Sequence, residues 1–225
     1  MILNKKIVFY SIASIIVFTV LSIVFFNKSR PSRTIIDVPF TSQAPIGDWS
    51  EPWANACEET TIYMVSNFYQ NEPIKRDDAV KRIKQIFKVK NKEFKVSYDE
   101  SLETIANLIK TLDLPWTTRL IVDPTAEDLK KELAGGRPII VPIFAPSLWN
   151  ENFKGDGPDY HVVALIGYDD STGEFIANDP GTANGQGRRF AYTKFMGAIH
   201  DLNSKNYRAG QKAVLFTEQL GWNGW

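Results

Sequence analysis

The sequence predicts an α+β fold, with a helical half packed on an antiparallel β-sheet half and one transmembrane helix ahead of both. Three observations carry that reading. Apolar residues recur every three or four positions between Ile62 and Ile109. From Arg137 onward the pattern becomes short apolar runs bounded by turn residues. Residues 7–26 contain no charged side chain. Helical periodicity first and strand periodicity second is the order of a segregated α+β domain.

The uncharged segment, IVFYSIASIIVFTVLSIVFF, rises about 1.5 Å per residue as a helix and so spans the hydrocarbon core of a bilayer. Cleaved signal peptides carry shorter apolar regions, of about 7–15 residues, and end in small residues. Here the run ends Phe25-Phe26-Asn27-Lys28. The expected organisation is a basic N-terminus at 1–6, an anchor at 7–26, a polar tether at 27–34 and one folded domain at 35–225. Lys5 and Lys6 precede the span and Lys28, Arg30 and Arg33 follow it, so counting charges does not orient it. Short N-terminal anchors behave as uncleaved export signals, which puts the domain outside the cytoplasm.

Within the domain, Ile35 to Phe40 reads as a short strand that opens into a loop rich in Pro, Gly and Trp. A helix then starts near Asn55, with Asn55 as N-cap and Glu58 three residues on as its capping-box partner. It runs to Asn71 and buries Ile62, Met64, Val65 and Phe68. A second helix sets Val80, Ile83 and Phe87 on one face, and a third does so with Leu102, Ile105, Leu108 and Ile109. Their lysines form solvated faces. Thr125 and Asp128 begin a short helix that Gly135-Gly136 ends. RPIIVPIF is a short apolar run, YHVVALIGYDD and GEFIAND form a hairpin around DDSTG, AYTKFMGAI is a short helix or edge element, and QKAVLFTE is a last strand.

Composition excludes several functions. Lys plus Arg and Asp plus Glu are both 26, which leaves no basic excess for nucleic acid. One cysteine forbids an internal disulfide or a multi-cysteine metal site. Two histidines without an HExxH pattern make a metal centre unexpected, and no cofactor is implied.

Cys57, the lone cysteine, reads either as one more small apolar residue of a helix or as a nucleophile. A thiol becomes a nucleophile when a base and a positive potential stabilise its thiolate. Near a helix start, free backbone N–H groups favour an anion, while Glu58 and Glu59 oppose it. His200 reads as a surface or capping residue. His161, at the mouth of a buried strand and the end of a long loop, is the candidate base. Asp179 follows eighteen residues later. A hairpin folded near residue 170 brings the two side by side, and the even separation lets them share a face. A turn centred on Gly173 separates them instead. Asp179 would fix the ring tautomer, as the third member of a triad does; Asn178 faces the other way. Gln43 carries a side-chain amide suited to a developing oxyanion, with the Cys57 backbone N–H as a second donor.

Together, DVPFTSQ, NACEETTIYMVSNFY, DYHVVALIGYDD and EFIANDP resemble the papain-like cysteine peptidases, and within them the bacteriocin-processing peptidases that cleave double-glycine leaders, with their stand-alone relatives. The resemblance spans residues 37 to about 200. It implies a papain-like fold with Cys57 as nucleophile, His161 as general base and acid, Asp179 as orienting residue and Gln43 as oxyanion donor. One departure stands beside the nucleophile. Relatives usually carry Gly after the cysteine, whereas this chain carries Glu58 and Glu59. The expected function is a membrane-anchored thiol hydrolase acting on a peptide or protein substrate. A non-catalytic peptide-binding module and an acyltransferase or transpeptidase using the same triad are the alternatives. Trp49, Trp53, Trp116 and Trp149 are candidates for a cleft, a core or a rim, and the loop at 147–159 for a flap.

Overall fold

Helix α1 (Cys57–Gln70) is buried on every side from Cys57 to Asn67, so it is the central rod of the fold and not a one-faced surface helix. Polar residues survive there because they bond within the helix. Thr60, Ser66 and Asn67 donate to the carbonyls of Ala56, Ile62 and Tyr63. Asn71 ends the helix in the left-handed conformation, φ 54°. The start differs from expectation. The N-cap is Ala56, with no side-chain cap. A single 3₁₀ turn, Trp53–Asn55, leads in, and the Asn55 amide donates to Glu51 instead, at 2.6 Å. Glu58 faces inward, where it has other partners.

The computed structural model describes residues 30–95, 98–148 and 157–221. The expected anchor at 7–26 and residues 149–156 of the expected flap, Trp149 included, lie outside them. Among the described residues no helix is long and apolar enough to cross a membrane. The chain divides into two units, Met1–Pro31 and Ser32–Trp225; the second carries the fold.

Two further helices flank α1. Helix α2 (Arg76–Phe94) buries Ala79, Ile83, Ile86 and Phe87 and runs on to bury Lys90. Helix α3 (Leu102–Thr111) is capped by Ser101, whose hydroxyl accepts from the Thr104 N–H. It buries the four expected residues, Leu102, Ile105, Leu108 and Ile109. Lys81, Lys84, Lys88 and Lys110 are exposed, as expected.

The sheet is antiparallel, with strands β1 (Arg33–Ile35), β2 (Trp116–Val122), β3 (Ile139–Ile143), β4 (His161–Asp169), β5 (Glu174–Asn178), β6 (Arg188–Ala191) and β7 (Ala213–Gln219). The order is β2-β7-β3-β4-β5-β6, with β1 on β4. Strand β3 takes the first half of β4, His161–Leu165, and β1 takes Gly167–Asp169. The approach at Gly167 requires glycine, since a Cβ there would stand 2.4 Å from the Thr34 carbonyl oxygen. β1 therefore begins inside the expected tether and stops earlier than Phe40. Beyond it Ile36 bonds to the Ile166 carbonyl at 2.8 Å and is buried with Val38. Helix α4 (Ala126–Ala134) has the expected capping box of Thr125 and Asp128, and α5 (Tyr192–Ala198) follows β6. Strands β2 and β6 have no counterpart among the expected elements.

One irregularity aligns the site. Asp169 pairs with Glu174 and Gly167 with Ile176, but Ala164 pairs with Asn178, so the register shifts between Leu165 and Gly167. Directly paired residues share a face. Extended from the turn, the first register would put His161 and Asp179 on opposite faces. The bulge returns them to the same one.

Candidate active site

His161 opens β4 and Asp179 follows the last residue of β5. Their side chains meet, His161 Nε2 to Asp179 Oδ1 at 2.7 Å, with both residues only 2% exposed. The backbone holds the aspartate too, through that same oxygen. Its Oδ1 accepts from the Gly181 N–H at 2.9 Å, and its own N–H donates to the Gly185 carbonyl at 2.9 Å. A carboxylate held this way fixes the orientation of the ring. Asn178 faces away, its amide donating to the Val38 carbonyl at 2.9 Å.

Gly185 is what admits this arrangement, because a Cβ there would fall 1.7 Å from the Asp179 carbonyl oxygen. Gly185→Ala is expected to displace Asp179 and to lower turnover by about 10-fold or more. It should also lower stability by about 1–3 kcal/mol. Peptide turnover and a denaturant melt measure the two effects; an unchanged kcat would separate Asp179 from catalysis.

Cys57 is the first residue of α1 and is 4% exposed. It borders a cleft of about 800 Å³ shared with Gln43, Trp49, Asp99, His161 and Thr182. Of the expected aromatic residues, Trp49 lines this cleft, while Trp53 and Trp116 are core. His200 is outside the cleft lining, half-buried with Nδ1 3.1 Å from the Gly210 carbonyl. Gln43 is in the wall, but its Nε2 donates to the carbonyls of both Trp53 and Ala54, each at 2.9 Å. Its Oε1 is buried without a partner.

The electrostatics around the sulfur are acidic. Cys57 Sγ donates to Glu58 Oε2 at 3.1 Å, and Glu58 Oε1 accepts from the Glu100 N–H at 3.0 Å. Burial, then the Glu58 charge, pushes the Cys57 thiol well above the usual thiol range. The Val162 N–H, facing the sulfur, pulls the other way. The position at the helix start favours the thiolate, yet desolvation and a carboxyl in contact outweigh it. Burial and the neighbouring Glu59 push Glu58 itself up to about 8.

Behind these residues lies a buried ion cluster. Lys90 Nζ stands 2.6 Å from Glu59 Oε1 and 3.7 Å from Glu100 Oε1, and donates to the Tyr98 carbonyl at 2.9 Å. Burial disfavours the ammonium, but Glu59 and Glu58 outweigh it and raise the lysine above its usual value. Glu100 is pushed up to about 7, chiefly by burial. Tyr160 closes the group, its hydroxyl donating to the Glu100 carbonyl at 2.7 Å. None of Lys90, Asp99, Glu100 or Tyr160 is singled out by sequence spacing. The one legible signal is the consecutive Glu58-Glu59 pair opening an otherwise apolar helix.

The model of the Peptidase_C39 like family matches residues 35–209. The chain belongs to that family. Its members are cysteine peptidases, and this C39-like chain is one. No curated protein matches it. Among solved structures it is similar to a C39-like peptidase from Bacillus anthracis, at 17% identity and a TM-score of 0.53, covering 83% of this chain and 98% of that one. It is also similar to xylellain, a cysteine protease from Xylella fastidiosa, at 12% identity and a TM-score of 0.49, covering 85% and 87%. At 17% identity the first likeness is one of fold, the mixed helix and antiparallel-sheet fold described above. The C39-like peptidase thus carries its lone thiol and its buried histidine–aspartate pair at one cleft.

Proposed function

We propose that this C39-like peptidase is a thiol hydrolase of peptide or amide bonds using Cys57, His161 and Asp179, anchored to the membrane by residues 7–26 with its domain outside the cytoplasm. The observation that carries the catalytic reading is the buried 2.7 Å contact of His161 with Asp179 at the cleft that also holds the chain's lone cysteine. Because Nε2 faces Asp179, Nδ1 is the ring nitrogen that exchanges protons with the sulfur. The thiol proton, now directed to Glu58, passes to Nδ1. The thiolate forms a bond to the substrate carbonyl carbon, and the imidazolium returns the proton to the leaving nitrogen as the C–N bond breaks. His161 then deprotonates water, which attacks the thioester, releases the acid and restores the thiol. The Cys57 N–H, at the helix start without an intrahelical acceptor, is one oxyanion donor. Gln43 becomes the second when its amide releases one of its two carbonyls.

The contact of Sγ with Glu58 favours a second reading, a peptide-binding module with a dormant thiol. One experiment divides them. A peptidyl chloromethyl ketone should alkylate Cys57 at least about 100-fold faster in the wild type than in His161→Ala. Slow alkylation at equal rates in both proteins would leave only the binding module.

A further inference from the structure

Asp99 precedes α3 and is the only carboxylate among the described residues lining the cleft, which include no lysine or arginine. It is half-buried, and burial raises its carboxyl above the ordinary range, with Lys90 and His161 pulling the other way. Among the described residues it has no hydrogen bond or ion pair. The lysine whose charge reaches it has other partners. Lys90 is committed to Glu59, Glu100 and the Tyr98 carbonyl, at 2.6, 3.7 and 2.9 Å. A second unmatched acceptor stands in the same wall, the buried Oε1 of Gln43. A half-buried carboxylate at a cleft, with no partner among the described residues, is a place for the cation of a ligand. The charges felt at Cys57 have the same sign, since Glu58 and Asp99 both oppose its ionisation.

We propose that Asp99 is a specificity-determining residue, receiving the ammonium or guanidinium of a lysine or arginine side chain close to the bond that Cys57 attacks. This rests on the peptidase reading. A half-buried carboxylate meeting a cation in a partly desolvated cleft discriminates by charge far better than an exposed pair does. It also links binding to reactivity. A cation beside Asp99 cancels the Asp99 charge that opposes ionisation of Cys57, so the favoured substrate eases formation of its own nucleophile. An acidic side chain in the same place would stand against the Asp99 charge, and is excluded.

Because Cys57 is the only cysteine, thiol reagents read this field directly, without peptide turnover. The full chain in detergent is treated with cationic 2-aminoethyl methanethiosulfonate and with neutral methyl methanethiosulfonate. The ratio of the two rates is divided by the same ratio for free cysteine. The expected normalised ratio is about 10 in the wild type and near 1 in Asp99→Asn. A wild-type ratio near 1, or one that Asp99→Asn leaves unchanged, overturns the proposal. In parallel, kcat/KM for lysine peptides should exceed that for norleucine peptides by about 10–100-fold, a preference that Asp99→Asn removes. A wild type that cleaves no peptide but keeps the Asp99-dependent reagent ratio would sink the peptidase reading and leave the cation site standing.

Discussion

Replacing Cys57 with serine is expected to lower kcat for peptide hydrolysis by at least about 10⁴-fold while leaving the fold intact. The substitution is nearly isosteric, and the hydroxyl can still donate to Glu58, which accepts from the sulfur at 3.1 Å. Secondary structure and thermal melting should therefore change little. What is lost is the nucleophile, because a hydroxyl is far harder to ionise than a thiol in surroundings that already resist an anion. His161→Ala should produce a loss of the same order, and the double variant should be no worse than either single one. Members of one catalytic unit do not contribute additively. Turnover of a fluorogenic peptide by the three variants, alongside circular dichroism, tests this. Residual activity within about 10-fold of wild type in Cys57→Ser would mean that another group attacks the carbonyl.

The residues of this site were legible where local pattern and local geometry agree. Asp128 with Thr125, and the face of α3, follow from spacing alone, since capping and amphipathicity act within one element. The pairing of His161 with Asp179 was only permitted by sequence. An even separation allows a shared face, but the turn that forms, with Asp169 opposite Glu174, breaks that parity, and a bulge near Ile166 restores it. Nothing in the local sequence marks a bulge held by β1 closing on Gly167. Glu58 was misread for a related reason. As a capping-box partner it would face its own helix start, but a distant group, the Glu100 N–H, and the sulfur of the adjacent Cys57 claim its two oxygens. Lys90 was invisible because a lysine is buried only when other elements bring carboxylates to it, here Glu59 and Glu100. β2 was missed because its residues alternate irregularly on an exposed edge.

Glu58→Gln is expected to change both the stability profile and the reactivity of Cys57 with pH, and the signs are fixed by the environment. Burial, then the Glu59 charge, pushes the Glu58 carboxyl of the folded protein up to about 8, above the ordinary glutamate value of 4.5. The folded state therefore holds a proton that the unfolded chain releases, and stability falls as pH rises between those values. At about 1.4 kcal/mol per pH unit, the loss from Glu58 between pH 5 and pH 8 is a few kcal/mol. Glu100, pushed to about 7 by burial, adds a loss of the same sign. The wild-type Tm should fall by roughly 10 °C across this range, and Glu58→Gln should remove the larger part of that fall. Reactivity follows from the shared contact. While Glu58 is protonated, Cys57 can ionise beside a neutral group. Once Glu58 ionises, the sulfur would be a second anion in contact with the first, and the pair must lose its protons in two separated steps. Alkylation of Cys57 should consequently be similar in the two proteins at pH 6, with the variant at least about 10-fold faster at pH 9. The glutamine keeps the acceptor for the Glu100 N–H and places an N–H toward the sulfur, so the backbone around the site is preserved. Parallel profiles across pH 6–9, with a Tm difference that does not change with pH, would show that Glu58 is not the group that holds the thiol protonated.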